Sequence, residues 1–351
     1  LQQRAAVRQV KSVRWVGWKR LYPVEIANIE DRDLEELLKR ANPRTGRALV
    51  DLFVWCWGMM ILGIVPFLLL PNFCTFLFAF AVVTSRMGAL LALAHDGQHA
   101  TFLPDKKWND LIAAWFCAYP VGSIFGSSRA VHMAHHKYLG HPEDPDRNFH
   151  WENDKSTAKE FAIHFARLIF GGQLWTSIVK NGLLRPLKSD KKDAALVVLQ
   201  RTGHPEILNL VPVQLVIWGS LWLASGQWWL YFALWLLPIF TTGTFLGFLR
   251  GFVDHARLRD DPDGPMEGRL ITVLNVGPVA RWYLAPFDFK YHAEHHLFPT
   301  VPHYFLEELH GILQNNSEIR KHYICRDNYA QFLKEYWHQI RYQPAAVSEQ
   351  G

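Results

Sequence analysis

The chain has 351 residues, enough for one large domain or two small ones; 50% are hydrophobic and 14% aromatic, including 15 Trp. Its mean hydropathy of -0.03 averages long apolar runs with charged ones, and those runs exclude a soluble globule. The formal charge of +5 and pI near 9.0 would otherwise suit a nucleic-acid binder. Beside apolar runs they fit basic residues gathered on the cytosolic side of a bilayer, and no nucleic-acid partner is expected.

Residues 1–47 are polar and basic, with Trp15 and Trp18 suited to the headgroup level, and nothing near the start has the pattern of a cleavable signal peptide. Four nearly charge-free stretches follow: Leu49–Leu70, Phe73–Ala94, Ile207–Ala224 and Trp228–Leu249. Each has about the 20 residues that carry a helix across a hydrocarbon core of about 30 Å. Only Pro71 and Asn72 separate the first two, and a turn at Ser225-Gly226 separates the last two. Such short links predict two antiparallel hairpins with their tips on one side of the membrane. Of 37 Lys and Arg residues, only Arg86 falls inside a stretch and none in either turn. The other side, with both termini, is therefore expected to be cytosolic.

Between the hairpins, residues 110–127 are apolar but short and broken by Pro120 and Gly122. They predict a re-entrant or interfacial helix. Residues 157–184 predict a second interfacial helix, interrupted at Gly171-Gly172. The four cysteines, Cys56, Cys74, Cys117 and Cys325, lack C-x-x-C or zinc-finger spacing and suggest neither a disulfide framework nor a metal site.

Three histidine groups lie just beyond apolar segments: His95-Asp-Gly-Gln-His99, His132-Met-Ala-His135-His136 and His292-Ala-Glu-His295-His296. Spacings of three and four residues put the rings on one helix face, and imidazole suits iron, zinc and copper. A full crossing by 110–127 would put the first two groups on opposite faces of the bilayer. On one face, eight neutral imidazoles fill most of two coordination spheres and leave positions for O2 or water. The expected fold is all-α integral membrane, with four transmembrane helices in two hairpins plus interfacial helices and a cytosolic cap carrying these boxes.

In order and spacing the three boxes resemble those of the membrane fatty-acid desaturase and hydroxylase superfamily, the histidine-box non-haem di-iron enzymes. The resemblance covers roughly residues 50–310 and includes the run Leu297-Phe298-Pro299-Thr300-Val301-Pro302. It implies two iron ions bound by His95, His99, His132, His135, His136, His292, His295 and His296, with O2 as co-substrate and two external electrons. It also implies a ninth ligand, for which His255 is the candidate. Gly251 stands where acyl-CoA desaturases carry an Asn that helps hold a metal-linked water, which departs from a strict acyl-CoA desaturase. The third box starts with His292 rather than Gln, unlike front-end desaturases. With no His-Pro-Gly-Gly haem motif, electrons are expected from a separate ferredoxin, cytochrome b5 or similar protein. The chain then divides into an N-terminal segment 1–47, a membrane di-iron oxidase domain 48–310 and a cytosolic C-terminal segment 311–351.

Metal-bound histidines commonly donate their outer N–H to a carboxylate. Asp96, Asp144 and Asp254 are the candidates, whereas Glu294, between two ligands on a helix, is expected to point away. Arg86 sits nine residues before His95, about 13 Å into the bilayer at about 1.5 Å per residue. It is expected to pair with Asp51 on the neighbouring span. His141, and the His164–Glu160 pair, read as surface, and His150, His204, His303, His310, His322 and His338 carry no spacing argument.

The expected reaction is introduction of a double bond into a fatty-acyl or similar long apolar chain. The alternative is hydroxylation or ketolation of a lipid, carotenoid or other apolar substrate with the same centre. The segment from His136 to Asp146, which resembles carotenoid-modifying members, keeps that alternative open. A metal transporter would place polar ligands near the bilayer midplane, and these stretches carry essentially none.

Overall fold

The computed structural model describes residues 31–141, 143–147, 157–172, 205–261 and 269–342. Trp15, Trp18, His150, His204 and residues 173–184 lie outside them. The described chain is mostly helical, with four helices long and apolar enough to cross a membrane and one two-stranded sheet.

Helix α1 (Arg32–Arg40) starts at Asp31, whose side chain accepts the Leu34 N–H, and buries Leu34 and Leu37. The first apolar helix, α2 (Thr45–Leu69), has a wider π-type winding over Val50–Gly58. Asn72 then caps α3 (Phe73–Gln98) by accepting the Thr75 N–H, while the Thr75 hydroxyl accepts the Asn72 N–H. Helices α2 and α3 pack together, and at Gly63 a Cβ would stand 2.6 Å from the Val82 side chain. Helix α3 continues four residues past Ala94, so His95 is helical rather than the start of a loop.

Helices α4 (Lys106–Val121) and α5 (Phe125–Tyr138) meet at 94°. The bend follows Pro120 and uses Gly122 at φ 76, a left-handed conformation that glycine adopts without a Cβ clash. Helix α6 (Ala158–Ile169) starts at a Thr157–Glu160 capping box and stops before Gly171 at φ 71. Helices α7 (Pro205–Ser225) and α8 (Phe232–His255) are the other two long apolar helices. In α8, π-type windings flank Pro238, which has no N–H to give the helical ladder.

The remainder is compactly folded: β1 (Ile271–Val273), α9 (Pro278–Tyr283), α10 (His292–Leu297), α11 (Leu306–Asn315), α12 (Ser317–Arg320), β2 (Ile324–Arg326) and α13 (Tyr329–Tyr342). The strands pair in parallel, Ile271 opposite Ile324 and Val273 opposite Arg326. One core lies among the apolar helices, a second joins α1, α10 and α11, and a third joins the end of α8 to β1 and α13. Ala293 and Leu297 belong to the second core and Phe252 to the third. The two histidine-bearing ends are thus held by apolar packing, at about 1.5–3 kcal/mol per fully buried large side chain.

The Arg86–Asp51 pair expected from the sequence does not form. Arg86 donates to the carbonyls of Trp55 and Trp282 and to Ser85 Oγ, and its guanidinium lies 3.5 Å from the Trp282 ring centroid. Asp51 instead takes hydrogen bonds from Arg47 and His303. A buried cation is satisfied as well by carbonyl dipoles and an aromatic face as by a carboxylate, and α9 supplies both.

A candidate metal centre

The helix ends bring all nine sequence-selected histidines together. His95 and His99 come from the last turn of α3, and His132, His135 and His136 from one face of α5. His255 ends α8, and His292, His295 and His296 lie on the buried helix α10. The bend between α4 and α5 turns the second group back towards the first, so His99 Nε2 and His132 Nε2 stand 2.8 Å apart.

The nitrogens form two adjoining sets. In His95, His99, His132, His136 and His295, one nitrogen from each ring lies within 4.8 Å of all the others, and the same holds for His135, His255 and His296. In the first set, Nε2–Nε2 distances are 3.0 Å for His132–His136 and 3.2 Å for His136–His295. In the second, His292 Nε2 is 2.9 Å from His255 Nε2 and 3.0 Å from His296 Nε2. The rings of His136 and His296 stack at 4.1 Å where the sets meet.

This donor set fits metal. An Nε2 that meets two others, as in His132, His136 and His292, carries at most one proton and cannot satisfy both. Neither ring nitrogen of buried-tipped His95 has a hydrogen-bond partner among the described residues. Two nitrogens bound at right angles to a first-row ion at about 2.1 Å stand about 3 Å apart, the spacing seen here. Burial pushes His99 down to about 3, with Arg129 and His135 adding to the effect. It also holds His295 and His296 well below the ordinary imidazole value, helped by neighbouring rings. They are neutral imidazoles with lone pairs available.

The outer nitrogens orient part of the set. Asp144 Oδ1 is 3.0 Å from His135 Nδ1. His255 Nδ1–H donates to the Arg269 carbonyl at 2.8 Å, which leaves Nε2 as the lone-pair nitrogen. Asp254 stands 3.8 Å from His292 Nδ1, too far for a hydrogen bond, and takes one from Arg250 Nε at 3.1 Å. Asp96 departs from expectation. Its carboxylate serves no box histidine but accepts from His303 Nδ1 at 2.6 Å. On a helix a neighbour of His95 is rotated by about 100°, which turns Asp96 away from the nitrogens. Glu294 points away from them, towards Thr272 and His310.

His303 is the main residue the spacing argument missed. It is 2% exposed and lies between Asp96 and Asp51, with Nε2 3.2 Å from the latter. Burial opposes its charge, but the two carboxylates prevail and push it up to about 9. Its partners lie 207 and 252 positions away, so no local pattern could reveal it. His141 is exposed, and the His164–Glu160 pair lies on α6 away from both sets.

A cavity of about 460 Å³ leads from these nitrogens into the space between α3 and α8. His95, His132, His135, His255 and His292 line its inner end, with mostly apolar side chains beyond.

With that geometry in place, comparisons with known proteins agree. Residues 71–326 match the family described as fatty acid desaturase. A dihydrorhizobitoxine desaturase from Bradyrhizobium elkanii is 26% identical over 248 residues, 67% of this chain and 66% of that protein. A ceramide hydroxylase from Caulobacter vibrioides is 31% identical over 108 residues, 30% of this chain and 26% of that protein. A beta-carotene ketolase from a Paracoccus species is 26% identical over 221 residues, 61% of this chain and 70% of that protein. The first match thus spans just under two thirds of the relative's own length. All three names are those of oxidoreductases, and the chain belongs to the fatty acid desaturase family.

Proposed function

We propose that this chain is an O2-dependent di-iron membrane oxidoreductase that introduces a double bond into a fatty-acyl or similar long apolar chain. The observation that carries the reading is the convergence of nine imidazoles, in two adjoining sets, on the inner end of an apolar cavity. The first set would hold one iron through His95, His99, His132, His136 and His295. The second would hold the other through His135, His255, His292 and His296. Iron bound there supplies, with O2 and two electrons, the oxidising power to take hydrogen from an unactivated C–H bond.

The chain's own contribution is placement. Asp144 and the Arg269 carbonyl fix the tautomer and angle of His135 and His255. The cavity wall holds a methylene against the inner end and keeps water from it. The hairpin arrangement, with the centre on the cytosolic face, is part of the same reading. The distribution of Lys and Arg supports it, as does the 2.8 Å approach of His99 to His132, which a full crossing between the two boxes would prevent. Electrons would come from a separate donor such as a ferredoxin or cytochrome b5.

A second reading, hydroxylation or ketolation with the same centre, is favoured by the names of two relatives. Expression in a host of known lipid and carotenoid content, followed by mass spectrometry, separates them. Loss of two hydrogens marks desaturation and gain of oxygen marks hydroxylation. A purified, membrane-inserted sample that binds no iron and consumes no O2 would refute both.

A further inference from the structure

The cavity's outer part is framed by two helices at bilayer depth. Leu91 of α3 and Gly247 of α8 both line it and both are exposed, Leu91 by 43%. Leu91 lies four residues before His95 and Gly247 eight before His255, about 6 and 12 Å below the histidine level at about 1.5 Å per residue. Gly88 of α3 lines the cavity too, and a Cβ there would meet nothing nearer than the Tyr283 carbonyl at 3.8 Å. At Gly247 a Cβ would meet nothing within 4 Å. The outer part of the cavity therefore faces the region that lipid tails occupy, and neither glycine puts a side chain into it.

The inner end carries an independent sign of a ligand. Asp254 is 2% exposed and lines the cavity. Arg250 holds its Oδ2, but Oδ1 has no hydrogen-bond partner among the described residues. A buried carboxylate oxygen is costly to leave unpaired, and it can only accept.

We propose that the substrate enters sideways from the bilayer between Gly88 and Gly247 and presents a hydroxyl or amide N–H to Asp254 Oδ1. The substrate class is thus a membrane-dissolved amphiphile with a hydrogen-bond donor close to the oxidised carbon. This rests on the oxidase reading for the reaction, but the test reads binding alone.

The full-length protein in phosphatidylcholine nanodiscs is irradiated with a long-chain alcohol bearing a diazirine, or with its methyl ether, which lacks the O–H. Labelled peptides are then mapped. The alcohol is expected to label the wall near Leu91, Thr244 and Tyr283 about tenfold more than the ether, the scale of one hydrogen bond to a charged acceptor. Gly247→Leu should cut that labelling about tenfold with iron content unchanged. Gly247→Ala, and Gly219→Leu on α7 where a Cβ also meets open space, should leave it intact. Equal labelling by alcohol and ether overturns the role of Asp254, and undiminished labelling in Gly247→Leu overturns the lateral entrance. Correct labelling without any oxidised product in cells strikes the oxidase reading and leaves the entrance standing.

Discussion

The two imidazole sets are alike in chemistry and differ in how they are held. In the smaller set, His135 and His255 have their outer nitrogens tied to a carboxylate and a backbone carbonyl. In the larger set, His95 has no hydrogen bond at either nitrogen among the described residues. It is placed by ring packing, 4.3 Å from His132 and His295 and 4.8 Å from Phe289. A hydrogen-bonded ring is aimed before metal arrives, whereas a packed ring is confined but can still rotate its lone pair. The lesson is that adjacency to a box does not make a carboxylate part of it: Asp144, nine residues beyond its histidine, orients His135, while Asp96, next to His95, orients His303.

The largest effect should come from removing a ligand of the hydrogen-bonded set. His135→Ala is expected to abolish product and lower bound iron while the protein stays membrane-inserted, as read by elemental analysis and membrane fractionation. Full activity in that variant would end its ligand role. Asp144→Asn sharpens the contrast. With the orienting charge gone, metal affinity or activity should fall about 10- to 100-fold, measured by chelator competition. Asp96→Asn should leave metal affinity near wild type and lower the melting temperature instead. If the two variants weaken metal equally, the contrast between the sets is wrong.

Much of this was legible in the chain. The four apolar helices, the break at Pro120 and Gly122, and the grouping of histidines on helix faces all follow from local periodicity, because each depends on residues within a few turns. Asp144 stood among the candidates for orienting a box histidine, but the sequence did not say which histidine it would serve. What stayed hidden depends on long-range contact. Arg86 finds Trp282, 196 residues on, rather than Asp51 across the neighbouring helix. His303 closes a bridge between α2 and α3 that no spacing rule encodes. Glu294 was readable as pointing away from the nitrogens, but not as bonding Thr272 and His310, which tie α10 to β1 and α11.

His303 gives the next smaller effect. It bonds the buried carboxylate of Asp96 and shares that of Asp51 with Arg47, so His303→Ala should destabilise the protein by about 3–5 kcal/mol, the usual result of removing one partner from a buried ion pair. Denaturation in detergent would measure this, and Asp96→Asn should recover part of the loss in the double variant by removing one stranded charge.

The smallest effect is a pH dependence that isolates the same bridge. In the fold His303 is pushed up to about 9, against about 6.5 for an ordinary imidazole. Folding therefore favours its charged form. The stabilisation is complete below about 6.5 and is lost as pH rises through about 9. His99, His295 and His296 are shifted downward, so they contribute a slope of opposite sign only below about pH 7.5, where an unfolded imidazole still binds protons, and none above it. The melting temperature should fall by a few degrees between about pH 7.5 and 9 in the wild-type protein. In His303→Gln, which keeps a donor but cannot titrate, the curve should be flat there. A wild-type curve that stays flat would show that the bridge is held without the imidazolium; a slope that persists in His303→Gln would assign it to another group.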